Sequence, residues 1–310
     1  MKILILGRDG QVGLALQSAL APVGQIRACG RAEADLERLD SLRRLVLDWA
    51  PDVVVNAAAY TAVDRAEIDE AVAMAVNADA PACLVQACRE VGAWLLHYST
   101  DYVFDGSKPE AYTESDRTEP LNAYGRSKLA GEQAIAACGA PHLILRTSWV
   151  FDARGKNFLT TILRLSAERD RLRVVDDQFG APTDAARIAQ TTALIVYRLA
   201  HDCGLASRAC GLYHLAAGGR TSWHGYAQAI VARALGNGAT LLTSPDRIQR
   251  VSTTQFSATA AGPTADSPTA RRPSNSSMST AKLHDIFGLQ LPDWRDDVHR
   301  VVDQLTKANA

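Results

Sequence analysis

A chain of 310 residues with a formal net charge of −1 has no basic surplus to hold nucleic acid or an acidic membrane. Its 47% hydrophobic and 22% charged residues match an ordinary soluble protein with one large or two smaller cores, and no apolar run approaches the roughly 18 residues of a membrane span. The six cysteines form no CxxC pair and sit singly in apolar surroundings, which reads as buried reduced thiols in a cytoplasmic protein rather than disulfides or a metal site.

In chain order, residues 3–6 predict a strand, too short and too close to glycines for a signal peptide. Gly7-Arg8-Asp9-Gly10-Gln11-Val12-Gly13 follows, then a helix to about residue 20. Strand, glycine turn and helix in that order let a backbone approach a pyrophosphate, which would rest on amide groups at the helix N-terminus. An ordinary glycine turn is the plainer alternative. Residues 25–29 predict the second strand. Its end, Cys29-Gly30-Arg31, has no carboxylate to grip ribose hydroxyls, and Arg31, with Arg8, could pair with a 2′-phosphate. NADPH is therefore expected, with NADH still possible; the bland alternative is that both arginines are solvated. Asp35 and Leu36 should lie near the adenine. After an amphipathic helix over 42–49, the strand from Asp52 runs into small residues. Ala58, Ala59 and Tyr60 are placed along the pyrophosphate and nicotinamide ribose, with 61–70 read as a polar loop. Residues 71–91 predict a helix in which Asn77 braces a neighbouring loop.

Residues 94–99 predict a strand whose C-terminal edge presents Ser99, Thr100 and Asp101, where ligands collect in open parallel sheets. Residues 104–120 read as a surface loop and 122–137 as a helix. Tyr124 and Lys128 are spaced i, i+4, so a helix stacks them on one face. A phenol beside a cation can give a proton to a carbonyl oxygen, or take one from an alcohol, near neutral pH. The Thr100 hydroxyl could hold the same oxygen. With the strand over 142–147, the alternation predicts an α/β doubly wound parallel sheet. Beyond Phe151 the expectations are helices over 157–169, 185–201 and 222–235, strands over 172–175 and 211–215, and a polar turn over 176–183. A flexible Ser/Thr/Ala/Pro-rich surface loop over 251–280 and two short helices complete the chain. Residues 1–151 thus read as a cofactor-binding domain carrying the catalytic groups, and 152–310 as a smaller substrate-binding region interleaved with late sheet strands.

The motifs GRDGQVG, VVVNAAAYTAVDRAE, HYSTDYVFDG, PLNAYGRSKLAGE, LILRTSWVF, VVDDQFGAPT, GLYHLAAGG and RPSNS resemble the dTDP-4-dehydrorhamnose reductase family of the extended short-chain dehydrogenases/reductases, and they run through nearly the whole chain in order. The resemblance implies NADPH-dependent reduction of dTDP-4-dehydro-β-L-rhamnose to dTDP-β-L-rhamnose in nucleotide-sugar biosynthesis. It implies Tyr124 as general acid, Lys128 holding the nicotinamide ribose and lowering the Tyr124 pKa, and Thr100 on the reacting oxygen. It places Gly7, Gly10, Gln11, Val12, Arg31, Asp35, Leu36, Ala58, Ala59, Tyr60, Thr61 and Tyr98 along the cofactor. Asp101, Tyr102, Trp149 (as a platform for the sugar ring) and Arg272 fall to the substrate.

Two departures stand out. Some relatives form magnesium-bridged dimers through a glutamate in the first helix, where this chain has Leu14-Ala15-Leu16-Gln17. A metal-free reaction and a monomer or weak homodimer are therefore expected. The stretch Ser257 to Gly262 resembles an insertion. The rival readings are a nucleotide-sugar dehydratase or epimerase, and a non-catalytic module like the regulatory subunit of methionine adenosyltransferase. A dehydratase commonly places Asp-Glu after the threonine, where this chain has Asp101-Tyr102.

Overall fold

The computed structural model describes residues 1–260 and 269–307. β1 (Lys2–Leu6), β2 (Gln25–Cys29), β3 (Val53–Asn56), β4 (Trp94–Thr100), β5 (His142–Thr147) and β6 (Gly211–His214) form one sheet in the order β2-β1-β3-β4-β5-β6. Every pairing in it is parallel. The central strands β1 and β3 are apolar on both faces because both are covered. In β1, Ile3 and Ile5 enter one core while Leu4 and Leu6 enter the other. Helices Gln11–Leu20 and Ala185–His201 pack together over the first face; Leu39–Trp49, Ala80–Val91 and Ala123–Ala137 cover the second. The result is a doubly wound, Rossmann-type sheet. The chain leaves β1 for β2 on one side and crosses back to β3 on the other, so a crevice opens at the C-terminal ends of β1 and β3.

A third core lies beyond this edge. Helices Phe158–Glu168, Trp223–Gly236 and Trp294–Lys307 bury Leu159, Ile162, Tyr226, Ile230, Trp294, Val298 and Val302 around the parallel pair Leu172–Val175 and Ile248–Val251. The sequence reading had no strand at Ile248–Val251.

Five expectations change. Residues 61–70 contain a helical turn, Val63–Ala66, rather than only loop. The helix expected over 71–91 is broken by a π-helical turn, Ala75–Asp79, which carries Asn77. Taken together, Glu70–Val91 is long and apolar enough by length and composition to cross a membrane, contrary to the first reading; here it packs on the sheet and on helix Ala123–Ala137. The region over 251–280 is not one loop: Thr253–Ala260 is helical, and Asn275, Ser276 and Ser277 are buried. Tyr112 exchanges backbone hydrogen bonds with Ser277 and Ser279 (2.8 and 2.7 Å), so the 104–120 segment is pinned to this one, and its Phe104 and Tyr112 stack in a core of their own. The suspected insertion lies partly outside the described residues. The last two helices are Ala281–Phe287 and Trp294–Lys307, the second of full length.

Candidate active site

The glycine turn is built as its spacing predicts. Gly7 has φ +84°, and a Cβ there would sit 2.7 Å from the Ala58 nitrogen, so β1 and β3 close together only around a glycine. A Cβ on Gly13 would sit 2.0 Å from the Gly7 carbonyl oxygen, which seats the first helix against the turn. Around Gly10 the protein leaves room, its nearest atom being the Gly7 oxygen at 3.4 Å. Gly10 caps the helix without a side-chain hydrogen bond, so the first amide groups of Gln11–Leu20 are free for an anion. These features, with the small residues 57–59 opposite, fit a dinucleotide pyrophosphate. Val12 packs inward against the core beside Ala57, and Gln11 accepts a hydrogen bond from Asn157 Nδ2 at 3.0 Å, tying the turn to the second half of the chain.

At the end of β2 the structure corrects the sequence reading. A carboxylate is present: Glu33 turns back to accept from the Gly30 amide (3.1 Å) and pairs with Arg8 (2.8 Å). Glu33 stands four residues past the strand, so reading only the strand end missed it. Arg31 is exposed and paired with Glu37 at 2.5 Å, and Asp35 lies between Arg31 and Arg38. Leu36 is a core residue packed with Leu4 and Leu6, so any contact it makes with an adenine is through its backbone or a small part of its side chain. Ala58 donates to Asn56 Oδ1 at 3.1 Å. Tyr60 is clamped by Asn77, which accepts from its amide (2.9 Å) and donates to its carbonyl (3.0 Å) and to Ser127 on the next helix (3.0 Å). Asn77 thus braces the cofactor loop, as expected. The Tyr60 hydroxyl donates to Asp69, and Thr61 is exposed.

Helix Ala123–Ala137 starts at Asn122, whose side chain accepts from Gly125 N (2.8 Å) and donates to the Arg271 carbonyl (2.7 Å). The Ala123 amide donates to Glu67 at 2.7 Å. Gly125 is required because a Cβ would sit 2.2 Å from the Tyr102 carbonyl oxygen. This close approach brings Tyr124 to the end of β4, edge-on to Tyr102 with ring centroids 5.7 Å apart. Thr100 donates to Asp101 Oδ1 (3.0 Å) and accepts from the Tyr102 amide (3.2 Å). Burial pushes the Asp101 carboxyl up to about 6, against hydrogen bonds from Ser276 and Thr100. Burial also pushes the Tyr102 phenol up to about 12, with Arg272 pulling down.

Lys128 lies one turn along and is 2% exposed. Its amine donates to the Tyr98 carbonyl at 2.6 Å and lies 3.1 Å from His97 Nε2. Burial pulls it down to about 8, with Glu132 acting in the opposite direction. This differs from the expected cation tuning its neighbour: the Tyr124 phenol is raised, first by burial, with only Thr100 acting to lower it. The physical reason is the lysine's orientation, because its amine is engaged by β4. Tyr98 serves the site through its backbone; its hydroxyl is bonded to Thr192 at 2.6 Å in the core. His97 and Asn56, absent from the sequence-derived set, are the other groups engaged here.

The remaining substrate candidates lie at the rim. Arg272 pairs with Asp64 at 2.9 Å beside Tyr102. Trp149, at φ +48°, stacks on Trp223 with centroids 3.7 Å apart, and Gly180 is held without a side chain by the Trp149 ring. One face of the expected sugar platform is therefore taken. His214 is fully buried, its Nδ1 3.1 Å from the Ser279 carbonyl, a structural position.

A family model described as RmlD substrate binding domain matches residues 1–307. A protein of Burkholderia thailandensis named dTDP-4-dehydrorhamnose reductase is 50% identical over 95% of this chain and 96% of its own. The crystal structure of dTDP-4-dehydrorhamnose reductase from Bacillus anthracis, in complex with NADP, superposes with a TM-score of 0.84 at 32% identity, covering 98% of this chain and 99% of that one. A structure of the same description from Clostridium acetobutylicum superposes at 0.85 with 31% identity over 98% and 99% of the two chains.

Proposed function

This chain belongs to the dTDP-4-dehydrorhamnose reductase family, and from that membership we propose that it reduces the C4 ketone of dTDP-4-dehydro-β-L-rhamnose to dTDP-β-L-rhamnose with NADPH. NADPH, when bound, supplies the hydride to the carbonyl carbon. The observation that carries the reading is the hydrogen-bond contact of Tyr124 with Thr100 at the sheet edge served by the Gly7–Gly13 turn, with Lys128 one turn further along the Tyr124 helix.

The chain's own residues divide the rest of the work. Gln11 and Val12 offer amides to the pyrophosphate and Gly10, whose own amide donates to the Gly7 carbonyl, lets it come close, with Ala58, Ala59 and Tyr60 opposite. Arg8 and Arg31, now paired with Glu33 and Glu37, are the cations available to a 2′-phosphate. Lys128 orients the nicotinamide ribose. Tyr124 gives its phenolic proton to the C4 oxygen, and Thr100 holds that oxygen, so the alkoxide never accumulates. The raised phenol of the resting protein keeps that proton in place until a substrate oxygen needs it. Asp101, Tyr102, Trp149 and Arg272 face the sugar nucleotide. Residues 1–151 carry the cofactor and catalytic groups, and 152–310 are mainly a substrate-binding region, interleaved with β6 of the main sheet. We place the reaction without a bound metal, in a cytoplasmic monomer or weak homodimer. In the first helix Gln17 donates to the Arg8 and Gly13 carbonyls, and residues 14–17 carry no carboxylate that could bridge a metal.

The test is loss of reduced-nicotinamide absorbance with a dTDP-4-keto-6-deoxy sugar, with the product identified. Tyr124→Phe should lower turnover by about 10²- to 10⁴-fold while cofactor binding persists. Unchanged turnover refutes Tyr124 as the acid. Stoichiometric, non-exchanging NAD in the purified protein would instead favour an epimerase or dehydratase.

A further inference from the structure

Asn56 and His97 are direct partners across the parallel strands β3 and β4, and the two side chains meet with Asn56 Nδ2 3.1 Å from His97 Nδ1. The orientation of that amide is settled by a third group. Asn56 Oδ1 accepts the Ala58 amide at 3.1 Å, so its NH₂ end faces the imidazole. Turning the amide over would set two donors, the Ala58 N–H and the NH₂, against each other. An NH₂ group has no useful lone pair, so His97 Nδ1 must accept. A neutral imidazole carries one N–H, which therefore sits on Nε2, 3.1 Å from the Lys128 amine. A doubly protonated ring would turn a donor toward the Asn56 NH₂ group.

Lys128 already donates to the Tyr98 carbonyl at 2.6 Å. An ammonium has donors only and cannot receive the Nε2–H; a neutral amine has one lone pair and can. We propose that His97 is a positioning residue for Lys128: its tautomer is locked by Asn56 and the Ala58 amide, and through its Nε2–H it favours the neutral amine of the lysine over the ammonium in the cofactor-free protein. Of the other groups around Lys128, Glu132, one turn along its own helix, favours the ammonium, but its carboxylate is engaged in a bidentate pair with Arg146 of β5 at 2.8 and 2.6 Å. Tyr124, on the same helix, is a neutral phenol. His97 is 1% exposed, and burial holds it well below the ordinary histidine range. Burial of Lys128 works in the same sense. It follows that an amine accepting from His97 takes up a proton, or leaves the imidazole, before Lys128 acts as a cation beside Tyr124. This last consequence rests on the role proposed for Lys128 above; the tautomer and the amine charge do not.

The test uses the full-length, cofactor-free protein and needs no activity. Long-range proton–nitrogen correlations on histidine-labelled protein should show His97 as the Nε2–H tautomer. The Lys128 ε-carbon, assigned by its absence in Lys128→Met, should titrate near pH 8. His97→Phe removes the donor and should move that titration up by about one pH unit, the worth of one hydrogen bond to the neutral amine. Asn56→Asp offers a second route if the first variant does not fold. Its carboxylate still accepts from Ala58 and now also accepts from Nδ1, so the tautomer should switch to Nδ1–H and Lys128 should become charged. A native His97 carrying its proton on Nδ1, or a native Lys128 still charged above pH 10, overturns the proposal. Failure of Tyr124→Phe to impair turnover would strike the assignment of the acid and leave these measurements untouched.

Discussion

The ion pair beneath helix Ala123–Ala137 sets a quantitative expectation. Arg146 and Glu132 are 3% and 6% exposed and bonded through two parallel contacts, and the guanidinium lies 4.9 Å over the Phe104 ring. Such a pair gains little over a well-packed apolar pair, because desolvation offsets the attraction. Breaking it is another matter. Glu132→Ala leaves a buried guanidinium without its counter-charge and should cost about 3–5 kcal/mol. Arg146→Met alone should cost a similar amount, by stranding the carboxylate. The double variant Glu132→Leu/Arg146→Met removes both charges and should recover most of the loss, ending within about 1 kcal/mol of the native protein. Equilibrium urea unfolding of the cofactor-free chain, followed by tryptophan fluorescence, measures all four corners of the cycle. If each single variant costs under about 1 kcal/mol, or the double loss equals the sum of the single losses, the pair is not a buried unit and the reasoning fails. The variants carry a functional consequence as well. Glu132 is the charge that favours protonation of Lys128, so its removal pushes the lysine further toward the neutral amine.

Thr100→Val removes the hydroxyl that bonds Asp101 and the Tyr102 amide; turnover should fall by about 10²-fold while Thr100→Ser stays near native, and equal activities of the two variants would refute a role for the hydroxyl. Gly13→Ala forces a methyl group to 2.0 Å from the Gly7 oxygen, so the helix must move off the turn; the expected outcome is a protein destabilised by about 1–3 kcal/mol that binds the reduced cofactor weakly in a fluorescence titration. The Asp101 carboxyl, raised by burial to about 6, binds its proton more tightly folded than unfolded. Its stabilising contribution is therefore complete below about pH 4, the unfolded value, and is lost as pH rises through 6. Asp101→Asn should remove that slope, so its stability relative to the native protein should grow by on the order of 2–3 kcal/mol between pH 4 and 7. Parallel pH–stability curves for the two proteins would contradict this.

Sequence periodicity alone determined the six strands of the main sheet and most helices. The runs at 25–29, 142–147, 172–175 and 185–201 match the folded elements residue for residue, because a strand covered on both faces or a helix with one apolar stripe leaves a pattern that needs no partner to be read. The Gly7–Gly13 turn, Thr100 and the Tyr124/Lys128 spacing were legible for the same reason: each depends on neighbours within a few residues. What the tertiary structure decided depends on groups distant in sequence. Glu33 reaches the end of β2 only through a turn, and Asn56, His97 and Lys128 come from two strands and a helix. Asn77 joins a loop to a helix 50 residues away, and the segment after residue 270 is ordered by hydrogen bonds to residues near 110. Nothing local in the chain encodes those meetings, and it is they, through burial and the direction of each hydrogen bond, that set which way the Lys128 amine points and what charge it carries.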